Sequence, residues 1–565
     1  MEFIVIAGIG IVLLIVKAFY DSRQTEKRIL NQIKTSWGQY PGTKLTPERL
    51  EAIRTYYDGT KRADKDVDDI TLNDISMDKV FEMLNNTSST IGEEYLYAML
   101  RKLEYKKDAL EERETLISYF QEQEEARVAV QVALSRMGKL YSMSFFSELQ
   151  QLKEKIQKKG VHILYCLLMV ASIAGLITAI VAGLPIKCFL IVVIACLSHN
   201  IVQYYRRKAE IENSFHVLTH ILKLLYSADL LLELDCPVLK PYATRLKEVT
   251  KKYKSFRKKA RFVSGGSNMS GDLADIILDY IRMIFHIDLI MFDSMVKELE
   301  NNGQDIQDIY EIIGLIDSSI AIASFRTYLG RNGQYCIPEL LEQEKGEIKA
   351  VDMYHPFIEK PVKNTIQEDG CVLITGSNAS GKSTFIKTVA VNAILAQTIH
   401  TCTCKEYRAS FFQICSSMAL TDNLLGNESY YIVEIKSLKR IIDKASVEIP
   451  TLCFVDEVLR GTNTLERIAA SSQILKYLSG LNVLCFAATH DIELTYILEA
   501  HFKNYHFQEE VKEKQVVFDY QLRNGRATSR NAIKLLKMMG YPEQVTKQAS
   551  EAANAFSSTG IWNTL

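Results

Sequence analysis

The sequence predicts an α/β P-loop NTPase domain in the C-terminal part of the chain, preceded by an all-α region that carries an inserted transmembrane hairpin. Three observations lead there. First, Gly376-Ser377-Asn378-Ala379-Ser380-Gly381-Lys382-Ser383 fits G-x-x-x-x-G-K-[ST] without a mismatch. It lies between an apolar run, Cys371-Val372-Leu373-Ile374, and a helical pattern that opens at Phe385, the strand–loop–helix context that a phosphate-binding loop requires. Second, two later apolar runs end in polar residues: Leu452-Cys453-Phe454-Val455 in Asp456-Glu457, and the run 483–488 in Thr489-His490. Third, residues 162–184 and 186–202 form two long apolar stretches separated only by Pro185.

Taken from the N-terminus, residues 3–16 are apolar and end at Lys17, with Phe19 and Tyr20 beyond. We read residues 1–20 as a transmembrane anchor, since the segment is just long enough to span. It lacks the basic start and small-residue cleavage site of a secretory leader. Residues 21–74 are expected to be a cytoplasmic linker and 75–340 a helical domain holding the hairpin at 162–203. The hairpin has too few polar positions to make a wet face. Lys153, Lys155, Lys158 and Lys159 precede it, and Arg206, Arg207 and Lys208 follow. Arg23, Lys27 and Arg28 follow the first segment. Because basic flanks stay inside, the N-terminus and the turn at 185–187 are expected outside, with Lys187 snorkelling into the interface. The expected location is a multi-pass protein of the cell membrane, in contact with lipid, its NTPase domain in the cytoplasm.

Residues 341–550 are expected to form the nucleotide domain and 551–565 a tail. Gly376 and Gly381 let the backbone curl until its N–H groups face one anion at a helix N-terminus. Lys382 can reach the β- and γ-phosphates, and the Ser383 hydroxyl can ligand Mg²⁺. Ser377, Asn378, Ala379, Ser380 and Thr384 complete the nucleotide-binding set. Asp456, at a strand end, falls beside the metal; Glu457 is placed to polarise a water against the γ-phosphate. His490, at the third strand end, can hydrogen-bond that phosphate. The cofactors expected are ATP and Mg²⁺.

Composition adds little. A formal net charge of -1 gives no global attraction to nucleic acid, and eleven scattered cysteines read as reduced core residues. His400-Thr401-Cys402-Thr403-Cys404 alternates like a strand and lacks a second ligand pair, which argues against a metal site. No repeat recurs at periods of 20–50 residues. The run from Lys251 to Arg261 is basic with aromatics interleaved; a solvated face, lipid headgroups and DNA phosphates all suit it.

The motifs together resemble the MutS family of mismatch-repair ATPases. Ile374-Thr375 and the loop through Thr384 are similar to the family's TGPNMSGKST. His355-Pro356 precedes the loop, and Ser429-Tyr430-Tyr431-Ile432-Val433-Glu434 resembles STFMxE. The string from Asp456 to Thr464 resembles DEIGRGTST, and Ala488-Thr489-His490 matches ATH. Asn524-Gly525 through Gly540-Tyr541-Pro542 is similar to the closing segment. Upstream, Asn85 to Gly92 and Ile316 to Ala323 resemble the first and last parts of the family's helical core domain. The resemblance implies an ATP-sandwiched homodimer in which Ser429 completes the partner's site, and a helical clamp with DNA as a ligand. It also exposes an omission. Phe120-Gln121-Glu122 and Phe146-Ser147-Glu148 spell the F-x-E of mismatch readers, but both lie in charged helical stretches rather than in a preceding domain. Two other readings compete. An ABC-type transport-associated ATPase would carry its LSGGQ-like signature before the Asp456 strand, whereas Leu478-Ser479-Gly480 lies after it. A non-catalytic membrane scaffold would not need Lys382, Ser383, Asp456 and Glu457 intact.

Overall fold

The computed structural model describes residues 17, 20, 23–42, 44–62, 65–140, 143–154, 160–263, 280–377, 380–418, 430–445, 448–459, 462–512, 515–527, 533, 536–537, 539–560 and 562. The expected N-terminal anchor lies outside them apart from Lys17 and Tyr20, as do Asn378, Ala379 and Ser429. The described residues of Met1–Lys61, Glu82–Ala98 and Thr115–Thr327 form one compact unit; those of Arg62–Phe81, Met99–Glu114 and Tyr328–Leu565 form another.

The first unit is helical, and its centre is a polar junction. Helix Thr90–Met99 begins where the Ser88 and Ser89 N–H groups each donate to the Asp317 carboxylate at 2.9 Å, joined by the Ser89 hydroxyl at 2.6 Å. Asp317 belongs to helix Gly303–Asn332 and is fully buried. Burial raises its carboxyl pKa, while the donors from Ser88 and Ser89 and the nearby Lys139 charge oppose that rise. A Cβ on Gly92 would lie 2.1 Å from Asp317 Oδ2, so glycine alone permits this approach. The stretches 85–92 and 316–323, singled out separately in the sequence, thus meet at one junction. One turn further along, Glu94 accepts from the Tyr310 hydroxyl at 2.6 Å and from the Phe145 N–H at 2.9 Å. Burial pushes its carboxyl up to about 7. Phe120 and Phe146 are buried in this core, where neither ring can wedge into a duplex.

Two helices leave this packing. Val161–Val181 and Ile186–Glu233 are joined by a tight turn in which Gly183 has φ +68°. The most apolar windows of the pair have mean hydropathies of 2.4 and 1.8 and are only 11% and 6% buried. The third long apolar helix, Gly303–Asn332, is 83% buried in its corresponding window, so its apolar residues serve the core. The second hairpin helix exceeds expectation. The apolar run closes at Val202 and Arg206, Arg207 and Lys208 flank it, yet the helix runs 48 residues without a break, about 72 Å at the α-helical rise. No glycine or proline occurs from 186 to 233, and Ile211, Leu218, Ile221, Leu225 and Ala228 are buried at helical spacing. Asn200 donates to the Tyr165 and Ile284 carbonyls at 3.3 and 3.0 Å. The Tyr204 hydroxyl donates to Asp288 at 2.7 Å. The Tyr204–Asp288 bond fixes the hairpin's foot to the helix Ile287–Asn301.

The basic run is half consumed within the same unit. Lys252 pairs with Asp305, Arg257 with Asp229, and Lys259 with Glu298 at 2.9 Å. Lys251, Lys254 and Lys258 remain exposed.

The second unit holds two main sheets. β1 (Glu339–Leu341), β2 (Ile348–Met353), β3 (Asn364–Glu368) and β5 (Glu406–Ser410) form a small sheet in the order β1-β5-β2-β3. The larger one joins β4 (Val372–Thr375), β6 (Gln413–Ser417), β7 (Thr451–Asp456), β8 (Val483–Thr489), β9 (Lys503–His506) and β12 (Arg523–Asn524) in the order β12-β9-β4-β8-β7-β6. All its pairings are parallel except β12 with β9. β4, β7 and β8 are buried at every position, as strands covered on both faces must be. A third pair, β10 (Glu509–Lys512) and β11 (Gln515–Phe518), is antiparallel. Residues 62–81 and 99–114, expected in the linker and the helical domain, pack with this unit instead. Asp68 pairs with Arg440 and Lys444, and Asp74 accepts from the Ser416 hydroxyl at 2.5 Å. In the segment His400–Cys404, His400 meets Glu114 at 3.0 Å and Cys402 forms a β-bridge with Cys336.

Candidate nucleotide site

Parallel pairing brings the C-terminal ends of β4, β7 and β8 to one edge, where doubly wound sheets carry their ligands. β4 delivers the loop 376–381. A Cβ on Gly376 (φ +150°) would meet the Phe507 carbonyl oxygen at 2.9 Å, and Gly381 has φ +107°. Both positions therefore require glycine. Ser380 is buried, and its hydroxyl has no hydrogen-bond partner among the described residues, an arrangement suited to an anion entering the loop. Ser377 donates to the Glu509 carboxylate.

Lys382 opens helix Lys382–Ile399 and is 4% exposed. Its ammonium donates to the Gly376 and Ser377 carbonyls at 2.8 and 2.9 Å, and lies 3.4 Å from His490 Nε2. The Ser383 hydroxyl donates to Asp456 Oδ2 at 2.5 Å, joining the first residues after β4 to the last residue of β7. Thr384 is exposed at the mouth of the loop. Glu457 continues β7 through an N–H bond to the Ala488 carbonyl at 2.9 Å, then turns sharply with φ +57°. Its carboxylate lies 2.6 Å from His490 Nε2. The shorter contact decides the histidine's role: Nε2 carries a proton and donates to Glu457.

Lys382, Ser383, Asp456, Glu457 and His490 thus form one connected cluster. Of its supports, Glu434 and Asn463 lie in the sequence motifs, whereas Arg467 and Asp491 had no signal of their own in the sequence. Glu434, buried in helix Tyr430–Lys444, accepts from the Leu459 N–H, where the chain has φ +59°. Arg467 grips Asp491, directly after His490, with two bonds of 2.9 and 2.6 Å; those bonds and the neighbouring charge raise the guanidinium pKa. Asn463 caps the helix that carries Arg467.

A cavity of about 490 Å³ opens beside the loop, lined by Tyr354, His355, Asn364, Thr384, Phe507 and Tyr520 among others. Its size and its mix of rings and polar groups suit an organic ligand. Burial and the Lys387 charge push His355 down to about 4, so it is neutral near pH 7. Phe507 and Tyr520 lie beyond every sequence motif. The His355-Pro356 motif marked one wall only.

Residues 372–557 match MutS domain V, an ATPase domain. The chain is 28% identical over 290 residues to the DNA mismatch repair protein MutS of Leptospira interrogans, covering 49% of this chain and 33% of that protein. It is 30% identical over 270 residues to MutS of Aquifex pyrophilus, covering 46% and 30%. The match to MutS of Thermus thermophilus is 29% over 209 residues, covering 36% and 26%. The chain spans about a third of the length of the curated relatives it matches.

Proposed function

From a chain whose residues 372–557 carry a MutS domain V, an ATPase domain, we propose a membrane-anchored, MutS-like ATPase that works as a dimer and uses ATP hydrolysis to switch its helical unit. The convergence of Lys382, the Ser383–Asp456 pair and the Glu457–His490 pair on one sheet edge carries this reading.

In it, the Lys382 ammonium leaves the Gly376 and Ser377 carbonyls for the β- and γ-phosphates, while Ser380 and the loop N–H groups bind phosphate oxygens. The adenosine part occupies the cavity between His355, Phe507 and Tyr520. Ser383 and Asp456, already in contact, form the donor set for Mg²⁺, which when bound neutralises phosphate charge. Glu457 takes a proton from the attacking water. The water oxygen bonds to the γ-phosphorus, and the bond to the β–γ bridging oxygen breaks. His490 orients Glu457 and can turn its N–H to the γ-phosphate. Glu434 and Arg467 hold the loops carrying these two residues.

The two exposed apolar helices support the membrane part of the reading. Whole cells treated with an impermeant thiol reagent test it, in a variant freed of reactive native thiols. A cysteine at Pro185 should be labelled and one at Lys159 protected; the reverse pattern, or extraction of the protein by carbonate, would contradict it. The dimer rests on the resemblance of Ser429 to a serine supplied in trans. Mixing Ser429→Ala with Lys382→Ala protein, each poorly active alone, should restore part of the ATPase activity, because one mixed site holds both groups. No recovery at any ratio would sink the shared site. DNA as the ligand of the helical unit is a proposal that ATPase rates with and without duplex DNA would test.

A further inference from the structure

β6 is an edge strand of the larger sheet, and a short segment from far earlier in the chain closes its outer flank. The Ser416 N–H donates to the Thr71 hydroxyl at 3.0 Å, and the Asp74 carboxylate takes the Ser416 hydroxyl at 2.5 Å and the Met418 N–H at 2.9 Å. Helix Asp69–Asp74 thus supplies partners that a strand edge otherwise lacks. Its cap, Asp68, accepts from the Thr71 N–H at 2.9 Å. The same carboxylate takes the Lys444 ammonium at 2.6 Å and the Arg440 guanidinium, which also donates to the Ser416 carbonyl. Burial alone would raise the Asp68 carboxyl pKa, but Arg440 and Lys444 hold it below its ordinary value, so it is ionised near neutral pH.

Arg440 and Lys444 lie one turn apart on helix Tyr430–Lys444. Nearer its N-terminus this helix carries Glu434, which accepts from the Leu459 N–H. Its Leu438 and Ile441 are buried in the same apolar cluster as Val458 and Leu459. Those two residues directly follow Glu457, and both Glu457 and Leu459 have left-handed backbone, with φ +57° and +59°. Such conformations persist at non-glycine residues only where the surroundings impose them. One helix therefore connects Asp68 to the turn that aims the Glu457 carboxylate.

We infer that Asp68 is a positioning residue for hydrolysis: through Arg440 and Lys444 it fixes the helix that carries Glu434, and so holds Glu457 against the attacking water. The inference rests on the ATPase reading above and extends it to a group outside the nucleotide site. The bonds described for Asp68 reach no residue of the phosphate loop, so ATP binding does not depend on it. In sequence, residues 62–81 lie between two segments of the helical unit, so this support is joined to that unit at both ends.

ATP affinity and Mg²⁺-dependent turnover of the detergent-solubilised full chain test the inference. Asp68→Ser keeps a helix cap but is too short to reach both cations. It should lower kcat about tenfold and leave ATP affinity within about twofold, as displacement of a catalytic group does. Combined with Glu434→Ala, it should slow turnover no further than Glu434→Ala alone, because both act on the Leu459 turn. Lys444→Met keeps the Arg440 bonds and is the milder variant should urea melts show that Asp68→Ser fails to fold; a fall in kcat of about threefold is expected of it. Parental kcat in a folded variant, an equal loss of ATP affinity, or losses that multiply in the double variant would overturn the inference. A parental chain that hydrolyses no ATP would instead remove the ATPase reading, and this inference with it.

Discussion

Two helix N-termini in this chain face the same electrostatic problem and resolve it in opposite ways. Both Thr90–Met99 and Lys382–Ile399 follow short stretches rich in serine and asparagine, and both present N–H groups with a partial positive charge. At the first, Asp317 closes the terminus: a carboxylate from the same chain takes two N–H groups and a hydroxyl. At the second, Lys382 folds onto its own loop's carbonyls, the Glu509 carboxylate takes only a side-chain hydroxyl, that of Ser377, in the hydrogen bonds described, and the Ser380 hydroxyl is left without a partner among the described residues. A terminus filled by the protein is architecture. One left open beside a lysine is what the proposed nucleotide site needs.

Substitutions can break that contrast. Asp317→Ala should have the largest effect on folding, because two buried N–H groups and a hydroxyl lose their acceptor. A loss of about 3 to 5 kcal/mol is expected, read as a lower urea midpoint for the helical unit, with ATP affinity unchanged. An unchanged midpoint would show that water fills the terminus equally well. A smaller effect is expected on the open side. His355 stays neutral in the native state down to about 4, whereas its ordinary value is 6.5. As pH falls from 6.5 towards 4 the unfolded chain takes up a proton that the native chain refuses, so stability is lost by up to about 3 kcal/mol. His355→Leu should flatten the urea midpoint over that window. A parental pH dependence in the variant would place the titrating group elsewhere.

How far the sequence exposed each region follows from the same physics. The phosphate loop, Asp456, Glu457 and His490 were legible because strand ends and glycine spacing fix where phosphate chemistry can occur. The two apolar runs were legible from hydropathy, but the length of the second helix was not: hydropathy marks only 186–202, whereas the helix continues to Glu233 because nothing there breaks it. The attachment of residues 62–81 to the ATPase unit depends on Asp68 and Asp74 finding Arg440, Lys444 and Ser416, partners far along the chain with no pattern to announce them. Phe507 and Tyr520 are ordinary aromatics until the fold brings them beside Gly381. Gly92 and Asp317 belong to two stretches singled out separately in the sequence, whose meeting only packing reveals.

The most direct test of the open terminus as a catalytic site is Glu457→Gln, measured for ATP binding and for Mg²⁺-dependent hydrolysis in the same detergent-solubilised protein. The amide keeps the shape and can still meet His490, but it cannot take a proton from water. Binding at the parental affinity with hydrolysis slowed about a hundredfold or more is the predicted result. Hydrolysis at the parental rate would contradict the account.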